Sequence, residues 1–236
     1  MFHVKICGVT TAADARMARD AGADAIGINF VPGSPRCVTV EQAREIACGV
    51  KGDVVVVGVF AGMAPADILA IVEATGLDAV QLHGHLEGPG VSDPPGTCAA
   101  LAPLPVIRAI RLGSGDDGAR GLAAARRWID AAHAAGHGPV MAVVDAAVTG
   151  STEAGRLGGT GAMVDWERLA AAGDLGIPMA LAGGLTPANV AAGIEATGLA
   201  AVDTASGVEA SPGCKDPEKV RAFCQAARAA IAALPA

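Results

Sequence analysis

Two apolar runs near the C-terminus end in turns built to meet an anion. Met179-Ala180-Leu181-Ala182 opens into Gly183-Gly184, and Ala201-Val202-Asp203-Thr204 opens into Ala205-Ser206-Gly207. Residues without a Cβ let backbone N–H groups approach a phosphate closely, and a helix N-terminus adds a favourable dipole. Thr186 is placed to cap a helix after the first turn, with Pro187 suited to its first position. Side by side, the two turns would hold one phosphate. Four more groups stand where apolar runs stop: the Cys7 thiol after Val4-Lys5-Ile6, Gln81 and His83 after Ala79-Val80, and the Asp145 carboxylate after Pro139 to Val144. Arg36 is displayed from a loop stiffened by Pro32 and Pro35, where it could hold a carboxylate by a bidentate pair or stand as an ordinary solvated charge.

Those groups need elements that bring them to one place. Val4–Cys7 reads as a strand, Ala12 to Ala21 as a helix stopped by Gly22, and Ala25–Phe30 as the next strand. Thr39-x-x-Gln42 is a capping box for the second helix, and Pro65 starts the third. Further apolar runs at Val54–Val59, Ala79–Gly84, Pro105–Leu112 and Pro139–Asp145 alternate with helical stretches, and the last helix starts at Asp216-Pro217. Counting gives eight strands and eight helices. The expected fold is a single-domain (β/α)₈ TIM barrel over residues 1–236, in which a phosphate site often lies in the loops after strands seven and eight. Residues 146–161, ending in Gly158-Gly159-Thr160-Gly161, read as a loop over the ligand, with Thr160 or Asp165 capping the sixth helix.

Composition agrees with buried parallel strands: 52% of residues are apolar but only 3% aromatic, so Val, Ile, Leu and Ala must fill the core. A formal charge of −7 with no basic run gives no electrostatic footprint for nucleic acid or an anionic membrane. The six cysteines are scattered without C-x-x-C or a Cys/His cluster, which reads as reduced thiols, no metal site and a cytoplasmic protein. There is no signal-like N-terminus or run of about 20 apolar residues. With no coiled-coil seam, a monomer is the default expectation.

An ordered set of motifs resembles phosphoribosylanthranilate isomerase, the barrel enzyme of tryptophan biosynthesis, nearly end to end. The set comprises Lys5-Ile6-Cys7-Gly8, Ser34-Pro35-Arg36, Gln81-Leu82-His83-Gly84, Gly158-Gly159-Thr160-Gly161 with Asp165-Trp166, Leu181 to Leu185, and Ser206-Gly207-Val208-Glu209 with Ser211-Pro212-Gly213. The resemblance implies Cys7 as general base, Asp145 as general acid, Arg36 on the anthranilate carboxylate, and Gly183, Gly184, Ser206 and Gly207 on the ribose 5-phosphate. Lys5, Asn29, Gln81, His83, Gly159, Thr160 and Gly161 would line the site. The reaction implied is an Amadori rearrangement, which needs an acid and a base but no metal, nucleotide or redox cofactor. It calls for a thiol pKa shifted modestly down and a carboxyl held protonated. A histidine-pathway relative doing the same rearrangement typically presents Asp at the first strand, so Cys7 favours anthranilate.

Departures from the family's wording are Ile28-Asn29 in strand two, Gly33 where Lys is common, and Thr204-Ala205-Ser206 where Val-Ser-Ser is usual. They keep two other readings open. One is the same rearrangement on another N-substituted phosphoribosyl compound, for which Asn29 and Gly33 are the support. The other is a non-catalytic phosphoribosyl-binding barrel.

Overall fold

A computed structural model describes residues 2–86, 93–112, 119–145, 166–171 and 173–235. Eight parallel strands close into a barrel in sequence order: β1 (Val4–Cys7), β2 (Ala25–Asn29), β3 (Val55–Phe60), β4 (Ala79–Leu82), β5 (Val106–Arg111), β6 (Met141–Asp145), β7 (Met179–Leu181) and β8 (Val202–Thr204). Closure is made where Val4 of β1 pairs with Val202 of β8. The helices α1 (Ala12–Asp20), α2 (Val40–Cys48), α3 (Pro65–Thr75), α4 (Gly96–Ala100), α5 (Ala119–Ala134), α6 (Trp166–Ala171), α7 (Val190–Thr197) and α8 (Pro217–Ala232) follow the strands in turn.

Local chemistry sets several of these boundaries. Thr11 accepts from the Asp14 amide to cap α1, and Thr39 and Gln42 form the expected reciprocal capping box at α2. Asp216 caps α8 by accepting from the Glu218 and Lys219 amides, with Pro217 in the first turn. The expectation at α7 is corrected. Its N-cap is Asn189, three residues beyond Thr186, because the Asn189 side chain draws the preceding segment into a turn: Oδ1 accepts from the Thr186 amide at 2.7 Å, and Nδ2 donates to the Gly184 carbonyl at 3.1 Å. Also unforeseen is a short antiparallel ribbon after the barrel, β9 (Glu209–Ser211) with β10 (Cys214–Lys215). The proposed caps of α6, Thr160 and Asp165, lie outside the described residues.

The core has two layers, set by the period-2 alternation of each strand. Outward residues such as Ile6, Ile26, Ile28, Leu82, Ile110 and Val144 pack with the helices. Inward residues, including Ala25, Val57, Ala79, Ile107, Met141 and Ala180, form a smaller plug inside the barrel. The inward parity that places Ala25, Ala79 and Met141 in this plug puts Asn29, Gln81, His83 and Asp145 toward the barrel axis at the C-terminal mouth. All six cysteines are free, with Cys98 and Cys224 buried. No helix among the described residues is long and apolar enough to cross a membrane.

Candidate active site

The pocket at this mouth is lined by Cys7 from β1, Asn29 from β2, Gln81 and His83 from β4 and its end, and Asp145 from β6. Its rim on one side is Gly183, Gly184 and Ser206; Arg36 reaches it from the β2–α2 loop. Lys5 and Gly207 are not in the lining but lie directly behind it. Gly159, Thr160 and Gly161 fall outside the described residues.

Lys5 is fully buried, and its Nζ donates to Asp203 Oδ1 at 2.9 Å. The thiol and the ammonium converge on Gly27 of the neighbouring strand. A Cβ there would lie 2.6 Å from Cys7 Sγ and 3.2 Å from Lys5 Nζ, so glycine leaves the space the two groups share. Burial pushes the Cys7 thiol above its ordinary value, and the Lys5 charge works against that push without reversing it. This is opposite in direction to the downward shift the chemistry suggested from sequence. Burial works against the Lys5 ammonium too, but Asp203 and Cys7 outweigh it and hold it protonated.

His83 Nε2 lies 3.0 Å from Arg111 Nη2. Arginine has no acceptor, so Nε2 accepts and the neutral ring carries its proton on Nδ1. Burial, then the Arg111 charge, lowers the His83 pKa to about 3. Between the unfolded value of about 6.5 and this folded value, acid protonates the unfolded chain but not the native one. Native stability is therefore expected to fall as pH drops through that interval. Urea unfolding from pH 7 to pH 4 should show a smaller loss for His83→Gln than for the wild type.

The two turns after β7 and β8 do come together. Thr204 Oγ1 donates to the Leu185 carbonyl at 2.7 Å, and a Cβ on Gly207 would overlap that same carbonyl oxygen. Only glycine permits this approach. Gly207→Ala is expected to cost about 1–3 kcal/mol, the usual penalty for overpacking, read as a lower urea midpoint at unchanged slope.

Asn29 is spent on its own loop: Oδ1 accepts from the Val31 amide at 2.7 Å, and Nδ2 donates to Ser34 Oγ at 3.1 Å. Arg36 is not a solvated surface charge. It is 8% exposed, and its Nε and Nη2 donate to the two carboxylate oxygens of Glu209 at 2.8 and 2.7 Å. Glu209 is the residue the sequence reading missed as part of the site, although it lies only two positions beyond Gly207. Among the described residues no group of three or more His, Cys, Asp or Glu could hold a metal ion.

Residues 4–226 match the family model described as N-(5'phosphoribosyl)anthranilate (PRA) isomerase. The chain belongs to this family. An N-(5'-phosphoribosyl)anthranilate isomerase of Myxococcus xanthus is 41% identical over 226 residues, covering 96% of each chain. Among solved structures, a phosphoribosyl anthranilate isomerase in complex with reduced 1-(o-carboxyphenylamino)-1-deoxyribulose 5-phosphate is 31% identical, with a TM-score of 0.77 over 97% of this chain and 100% of that one. Monomers made from the dimeric Thermotoga maritima isomerase align with a TM-score of 0.77 at 30% identity, again over 97% and 100%.

Proposed function

We propose that this chain catalyses the Amadori rearrangement of N-(5-phosphoribosyl)anthranilate to 1-(2-carboxyphenylamino)-1-deoxyribulose 5-phosphate in tryptophan biosynthesis. The observation that carries the reading is one pocket with Cys7 and Asp145 on different strands, the paired glycine turns on its rim and Arg36 at its edge. Asp145 gives a proton to the furanose ring oxygen, the C1–O bond breaks, and the nitrogen lone pair forms the Schiff base. The Cys7 thiolate then takes the C2 proton, leaving an enolamine that tautomerises to the ketone. Backbone amides of Gly183, Gly184, Ser206 and Gly207 hold the phosphate, and Arg36 holds the ring carboxylate. Lys5 supplies positive charge beside the thiol, favouring its ionised form in the closed site.

Gln81 and His83 line the same pocket as the two reacting groups. The alternative substrate loses its support at Asn29, whose amide is engaged with Val31 and Ser34. We read residues 1–236 as one barrel domain acting in the cytoplasm. A monomer agrees with a described surface on which Leu69 and Val140 are the exposed large hydrophobics; sedimentation velocity tests that directly.

The deciding assay follows loss of anthranilate-type fluorescence from freshly generated phosphoribosylanthranilate. Saturable turnover is expected. Folded protein with no turnover would sink the anthranilate reading, and parallel assay of the histidine-pathway aminoribosyl substrate would then test the other one.

A further inference from the structure

Glu209 begins β9, directly after a single 3₁₀ turn at Ser206–Val208, and is 7% exposed. Its Oε1 accepts from Arg36 Nε and from Lys215 Nζ, each at 2.8 Å, and its Oε2 accepts from Arg36 Nη2 at 2.7 Å. Lys215 Nζ also donates to the Ala205 carbonyl at 3.0 Å, and Lys219 Nζ donates to the Glu209 carbonyl at 2.8 Å. One buried carboxylate thus joins the pocket arginine, through Lys215, to the backbone of the turn after β8. The cluster of Arg36, Lys215 and Glu209 carries two positive charges and one negative, which leaves one positive charge for one ligand carboxylate.

The geometry points to Glu209 as a positioning residue that aims the Arg36 guanidinium at the substrate's ring carboxylate and, through Lys215, keeps that grip at a fixed place relative to the phosphate turn. This rests on the reading of Arg36 given above. A guanidinium is a rigid plane, so two bonds along its Nε–Nη2 edge determine where its other edge faces. Nη1 donates to none of the described residues, while Arg36 lines the pocket. The side chain also lies across Gly8, next to Cys7, where a Cβ would overlap Arg36 Cδ. An arginine already held in one conformation loses little rotamer freedom when the ligand arrives. Burial works to raise the Glu209 pKa, but hydrogen bonds from Arg36 and Lys215 outweigh it and keep the carboxylate ionised. Without that negative charge, two buried cations would face each other and Arg36 would lose the partner that orients it.

The test compares two ligands: reduced 1-(o-carboxyphenylamino)-1-deoxyribulose 5-phosphate and the same compound lacking the ring carboxylate. The ratio of their dissociation constants reads the carboxylate grip separately from phosphate binding. In Glu209→Gln the ratio should shrink about tenfold, equivalent to one order of magnitude in affinity, with KM rising and kcat changing much less. In Glu209→Asp, which keeps the charge but withdraws it by one methylene, an intermediate loss is expected; this variant decides the matter if Glu209→Gln does not fold. Arg36→Met should abolish the ratio. If Arg36→Met leaves the ratio intact, the carboxylate reading of Arg36 fails and the inference with it. If Arg36→Met abolishes the ratio but the Glu209 variants keep the wild-type value, Glu209 is merely structural and the inference alone is overturned.

Discussion

Cys7→Ala is expected to lower kcat by about 10²–10⁴-fold, the range for loss of one general acid or base, while the dissociation constant of the reduced product analogue stays within about threefold. Cys7 lines the pocket, and on the proposed mechanism removing its thiol deletes the proton acceptor while leaving the glycine turns and Arg36 in place. The pH profile gives the assignment a second handle. Burial pushes the Cys7 thiol up, so at neutral pH the basic form is a minority of the free protein. Below a pKa the ionised fraction grows tenfold per pH unit. Wild-type kcat/KM should therefore rise from pH 7 toward pH 9, because ordinary thiols ionise near 8.5 and this one is shifted upward. The residual activity of Cys7→Ala should lack that rising limb. A flat wild-type profile, or the same limb in the alanine variant, would assign the base elsewhere.

The fold was legible because its signals are local. Thr39 and Gln42 form their capping box from adjacent residues, and the Asp216-Pro217 start of α8 needs only the first turn of that helix. Strand alternation becomes informative once the structure shows which face is inward. Once Ala25 and Ala79 are taken as inward, Asn29, Gln81 and His83 must also be inward, whatever the last residue of each strand. The position of α7 escaped because Thr186 and Asn189 are both acceptable caps, and a side-chain turn between them decides which is used.

What sequence reasoning could not supply lies in pairs far apart in the chain. Lys5 and Asp203 are separated by 198 positions, and Arg36 and Glu209 by 173. In sequence, each of these four looks like an isolated charge. Barrel closure places β8 beside β1 and thereby brings Asp203 to Lys5. The chain beyond β8 then folds back, so that β9 brings Glu209 against the β2–α2 loop. The upward shift of Cys7 was equally out of reach, since it depends on the burial of the thiol and on a lysine charge whose strength is already shared with Asp203.

Asp145→Asn should reduce kcat by a similar factor, about 10²–10⁴-fold, but by blocking a different step. Asparagine has nearly the same shape and still offers hydrogen bonds, so binding of the reduced product analogue should change little. It cannot deliver a proton to the furanose oxygen as that C1–O bond breaks. Ring opening then limits turnover, and C2–H cleavage follows the slow step. A substrate deuterated at C2 should consequently show a suppressed isotope effect in Asp145→Asn. The contrast is with Cys7→Ser, in which ring opening still has its acid while C2–H removal depends on a poor base; there a primary isotope effect should appear in full. Opposite isotope effects in two variants of comparable slowness separate acid from base more sharply than either loss of rate. If the pattern is reversed, with the large effect in Asp145→Asn, the two roles are exchanged: the carboxylate removes the C2 proton and the thiol assists ring opening.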